Sequence, residues 1–134
     1  MEKFNSWSVP FSSINWFEGV IKSHDKVISI FRERDILFTI ETIYQKIYKV
    51  LLLDEYRMGA ASVYRAIEEF GKLDFIVYGG NWNNATNEAY EIAKENNLAL
   101  FNYSGFMGAL NFEKPKEYIP NAKKKSSSTV PKRA

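Results

Sequence analysis

The run KVLLLDEYR, Lys49 to Arg57, carries four consecutive aliphatic residues into two carboxylates, Asp54 and Glu55, and then into Tyr56 and Arg57. Acids at the exit of a buried strand stand where a sheet opens to solvent, and a solvated strand end is the structural reading beside any chemical one. The second candidate is the tract GGNWNN. Gly79 and Gly80 permit close backbone approach, Asn83 supplies a donor and an acceptor, and Trp82 is able to stack on a base. A plain turn is the alternative, because the glycines lack the GxGxxG spacing of a dinucleotide loop. The third is the run Lys123, Lys124 and Lys125, whose charges suit phosphates or merely solubilise the end of the chain.

Composition removes other chemistries. The chain has no cysteine, which excludes disulfides, thiolate catalysis and Cys-type zinc sites, and its one histidine, His24, excludes multi-histidine metal centres. His24 itself reads as a helix-end residue rather than a base. A formal net charge of +2 permits a nucleic-acid partner without requiring one, since phosphate binding depends on where the cations cluster. The opening MEKFNSWSVPFSSINWF does not read as a signal peptide, and no apolar run reaches membrane-spanning length. The expectation is a cytoplasmic protein with no membrane partner.

The elements that must position these residues follow from hydrophobic period. With 134 residues and 46% hydrophobic composition, one domain with a real core is expected, over residues 1–112. Residues 113–134, rich in Pro, Ser and Lys, read as a basic disordered tail. Ile14, Phe17 and Ile21 fall at helical spacing between Ser12 and His24, with Ser12 or Ser13 as the expected cap. KVISIF and ILFTIETIY read as antiparallel strands turning at Arg32 to Asp35, and YQKIYKVLLLDEY as a third strand whose VLLL core is buried on both faces. After Gly59 the period becomes helical through Val63, Ile67 and Phe70, and Gly71 closes the helix. LDFIVY is a strand; Thr86 caps a further helix that Asn96-Asn97 ends; LALFNY is the last strand, from which SGFMGAL turns away.

This order, together with ATNEAYEIAKENNLALFN at its end, resembles the restriction-endonuclease-like PD-(D/E)xK superfamily, and within it the Mrr-like domains. The resemblance covers roughly residues 25–110 and is most specific after Gly59. It implies an α/β fold with an αβββαβ core, an additional C-terminal helix and strand, and a mixed sheet flanked by helices. It further implies Asp35 and Asp54 as metal ligands for Mg²⁺, with Glu55 as the rival of Asp54. A turn former is the structural reading of Asp35.

The family places a lysine two residues after the second acid. From Asp54 that position holds Tyr56, and from Glu55 it holds Arg57. A lysine there orients the attacking water or exchanges a proton, whereas arginine stabilises phosphate charge but stays protonated. The catalytic set implied by the resemblance is therefore Asp35, Asp54, Glu55 and Arg57, degenerate at the lysine, with weak or absent cleavage. The implied partner is nucleic acid, DNA ahead of RNA, held by Arg57, Trp82, Asn83 and Lys123 to Lys125. A protein-binding inhibitor or interaction module from a mobile element is the competing class. It is favoured if Trp7, Trp16 and Trp82 form one exposed patch away from the acids.

Overall fold

A computed structural model of the chain describes residues 5–80 and 82–120. The elements run α1 (Phe11–Lys22), β1 (Val27–Glu33), β2 (Leu37–Thr42), β3 (Ile47–Leu52), β4 (Arg57–Met58), α2 (Ala60–Phe70), β5 (Phe75–Val77), β6 (Asn84–Ala85), α3 (Asn87–Glu95), β7 (Ala99–Phe101) and α4 (Tyr103–Ala109), followed by a 3₁₀ turn at Pro115–Glu117. Five strands form one open sheet in the order β1-β2-β3-β5-β7. The first three are antiparallel, and β3, β5 and β7 are parallel. The chain is thus mixed α/β, as its periods predicted.

Parallel strands joined by helices are buried on both faces, and consecutive residues show it here. Val50 to Leu53 and Phe75 to Val77 are all buried. On one face, Phe17 of α1 meets Phe38 edge-on at 5.3 Å, and Phe106 of α4 meets Phe75 at 5.2 Å. The crossover helices α2 and α3 pack against each other and cover the other face.

Three expectations need correction in detail. First, α1 starts at Phe11 with Pro10 as its N-cap, two or three residues before the expected Ser12 or Ser13 cap, and no side chain caps it. Second, SGFMGAL, expected only to turn away, lies in helix α4, where Asn102 Oδ1 accepts from the Gly105 amide at 2.8 Å. Two glycines in so short a stretch argue against a helix by propensity. Packing overrides it, since a Cβ on Gly108 would stand 2.6 Å from the Tyr118 hydroxyl. Third, residues 113–120, assigned by sequence to the tail, pack on the domain: Pro115 is buried, Lys116 Nζ pairs with Asp74 at 2.9 Å, and Tyr118 stacks on Phe112. Lys123 to Lys125 lie outside the described residues. No helix among the described residues is long and apolar enough to cross a membrane.

Two further residues have settled structural roles. His24 Nδ1 accepts from the Lys26 amide at 3.1 Å, so Nε2 carries the proton and donates to the Met107 carbonyl at 3.0 Å. It clips the end of α1 to α4 rather than merely facing its own helix terminus. Trp7 is 6% exposed, donates from Nε1 to Glu69 at 2.9 Å, and lies under the Arg65 guanidinium at 3.6 Å.

Candidate functional site at the carboxyl edge of the sheet

The parallel strands β3, β5 and β7 all end at one edge, where open α/β sheets present ligand-binding loops. Backbone bonds stitch these loops together. Leu53 donates to the Val77 carbonyl at 2.8 Å, Glu55 to that of Tyr78 at 3.0 Å, and Tyr103 to that of Gly79 at 2.8 Å. The loops then pair as a second, two-stranded parallel sheet of β4 and β6, with Arg57 opposite Asn84. Sequence reading saw neither half of this miniature sheet, Arg57–Met58 or Asn84–Ala85, because two-residue strands carry no period.

Asn83 closes the edge. Its side-chain amide donates to the Tyr78 carbonyl at 3.1 Å and to Asp54 Oδ1 at 3.3 Å. The amide occupies the space a Cβ on Gly79 would need, and Gly79 has φ 133°, which side-chain-bearing residues rarely adopt. The glycine is thus required by both conformation and contact. Gly80 lies against the Tyr103 ring.

Asp54 is exposed, and its charge acts on the Tyr103 phenol. Burial pushes the Tyr103 phenol above its ordinary range, the Asp54 charge pushes it further, and a hydrogen bond from Ser13 opposes both. Tyr103 therefore keeps its phenolic proton at neutral pH. Trp16 stands 4.8 Å from the Tyr103 ring and is 50% exposed. Sequence reading named Ser13 only as a helix cap and Trp16 only as part of a protein-binding patch, and it missed Tyr103. The Asn102 cap directly after the strand LALF was the available signal for Tyr103.

The remaining residues divide. Glu55 Oε1 accepts from Ser62 Oγ at 2.7 Å, which ties the acid to the first turn of α2. Arg57 and Tyr56 are exposed, as is Trp82 at 87%. Asp35 sits in the β1–β2 turn with φ 66°, after Arg34 with φ 50°, and its carbonyl accepts from Arg32 Nη1. The ladder brings that turn to the same end of the sheet as Asp54, since Leu52 donates to the Ile36 carbonyl at 2.9 Å. Asn83, Asp54 and Tyr103 form one group; Asp35 belongs to the neighbouring turn. Among the described residues no three His, Asp or Glu side chains gather in one cluster.

Trp7 is buried, so the three tryptophans do not form one exposed patch, and Trp16 lies beside the Asp54 edge rather than away from it. Compared with known proteins, the chain matches no family model, no curated protein and no solved structure.

Proposed function

We propose that this chain is a nucleic-acid-associated protein of restriction-endonuclease-like fold in which metal-dependent cleavage has lapsed and binding persists. The observation that carries the reading is the Asn83 bridge. It joins the acid at the end of β3 to the loop after β5, at the sheet edge where a nuclease of this kind would hold the scissile phosphate. The element order and the mixed sheet support it as well. So does the sequence: Tyr56 and Arg57 stand where a lysine would be needed, and an amide already occupies one Asp54 oxygen. The exposed rings of Trp82, Tyr56 and Trp16 supply stacking surfaces around the edge, and Arg57 supplies charge.

Two assays test the proposal. Affinity for labelled DNA and RNA is measured across a salt series, with DNA expected ahead and affinity expected to fall steeply with salt. Cleavage is measured with and without Mg²⁺, and weak or absent turnover is expected. Robust Mg²⁺-dependent cleavage lost in Asp35→Ala would replace the binding reading with a catalytic one.

A second reading has its own observation. Ile28, Phe31, Ile43 and Ile47 are exposed large hydrophobics on the β1–β3 portion of the chain. They suit a protein-binding module. Absence of nucleic-acid affinity at low salt, with binding to a protein lost on Phe31→Ser, would favour it.

A further inference from the structure

The edge strand β7 borders an open groove of about 880 Å³ whose lining differs in charge from the rest of the molecule. Its described walls carry Arg57, Lys94 and Lys116, five asparagines including Asn87 and Asn97, and no aspartate or glutamate. In a chain with 16 acids, a concave surface lined without one favours an anionic ligand. Lys116 is committed to Asp74 and to the Asn97 carbonyl, whereas Arg57 and Lys94 form no ion pair with any described residue.

The floor is formed by the strand itself. Ala99 donates to Asp74, and Phe101 accepts from Tyr78, so both bond toward β5. Alternation along the strand then turns the Leu100 amide and carbonyl toward the groove, on the edge that no strand covers. A donor, an acceptor, amide side chains and two available cations are the groups that recognise a base together with its phosphate. Asn83 and Arg57 line the same groove, which makes it continuous with the carboxyl edge, and Trp82 stands exposed next to Asn83 in the chain.

We infer that the β7 groove seats a nucleotide unit of a single-stranded nucleic acid, with phosphate toward Arg57 and Lys94 and the base edge toward the groove's asparagine amides. Volume decides for a single strand. A groove of 880 Å³ falls in the range of small-ligand sites and admits an unpaired nucleotide, while a duplex keeps its bases stacked inside. The inference rests on the nucleic-acid reading above and specifies its substrate class.

The test is fluorescence anisotropy with the full chain and a labelled single-stranded DNA oligonucleotide, the same DNA annealed to its complement, and adenosine monophosphate as competitor. The single strand is expected to bind more tightly than the duplex, and the mononucleotide to compete. Lys94→Gln combined with Asn87→Ala, both at exposed positions, is expected to weaken single-strand binding about tenfold or more and lower the salt slope by about one. An unchanged thermal unfolding transition shows the double variant to be folded, and Lys94→Gln alone supplies the salt-slope readout otherwise. Equal binding of single strand and duplex overturns the inference. So does wild-type affinity in the groove variants combined with loss in Trp82→Ala, which would leave nucleic acid at the carboxyl edge only. Absence of binding to any of the probes at low salt overturns this inference and the underlying reading together.

Discussion

Asn83 holds Asp54 from above the glycine turn: one side-chain amide donates to the Asp54 carboxylate at 3.3 Å and to the Tyr78 carbonyl at 3.1 Å. The bridge depends on Gly79, whose missing Cβ leaves the space the amide fills.

Gly79→Ala is therefore expected to expel Asn83 from its seat and to strain a backbone at φ 133°. A loss of about 1–3 kcal/mol is expected from the strained conformation alone. Denaturant melts measure it, and Asn83→Ala provides the comparison. The alanine at 79 should cost more, because Asn83→Ala removes the bridge without forcing the backbone.

The tryptophans are expected to separate by burial. Trp7→Ala deletes a ring that is 6% exposed, held by Glu69 and covered by Arg65, and should destabilise by about 3–5 kcal/mol. Trp82→Ala changes a ring that is 87% exposed, and should move stability by no more than about 0.5 kcal/mol while reducing nucleic-acid affinity. Urea unfolding of both variants beside the wild type decides this. Equal losses would contradict the packing of Trp7.

High pH should weaken the domain through its tyrosines. Burial, and then the hydrogen bond with Tyr90, push the Tyr78 phenol above its ordinary 10.0; burial does the same for Tyr48 and Tyr103. Above about pH 10 the unfolded chain releases protons that the folded chain keeps, so stability is complete below that pH and declines as pH rises through the raised folded values. Melts at pH values on either side of about 10 are the measurement. Tyr78→Phe should show a shallower decline.

Two truncations distinguish the packed end of the domain from the basic run beyond it. Removal of everything after Pro120 takes away Lys123 to Lys125 and should lower the salt dependence of nucleic-acid binding with little change in Tm. Removal of everything after Phe112 also takes away buried Pro115, the Lys116–Asp74 pair and Tyr118, which packs 6.2 Å from the Phe101 ring centroid. That truncation should lower Tm clearly. Coincident melting curves for the two would show the 113–120 segment to be dispensable.

Hydrophobic period was enough to read the order of the principal strands and of the first three helices, because a strand buried on both faces needs a continuous apolar run such as VLLL and a helix needs spaced ones such as Val63, Ile67 and Phe70. Local chemistry likewise announced Thr86, whose Oγ1 accepts from the Ala89 amide at 3.1 Å, and Gly71, which has φ 76°. It did not announce α4, where glycine propensity opposes packing against Tyr118, nor the pairing of β4 with β6, which depends on two loops distant in sequence. The site followed the same division. Asp54, Arg57, Trp82 and Asn83 stood out by residue type and Asp35 by its turn, but the grouping of Asp54 with Asn83 and Tyr103, the commitment of Glu55 to Ser62 and the arrival of the Asp35 turn at the Asp54 end of the sheet were tertiary decisions. A side chain's type limits what it can bind, and only the folding of distant segments onto one sheet edge determines which partner is within reach.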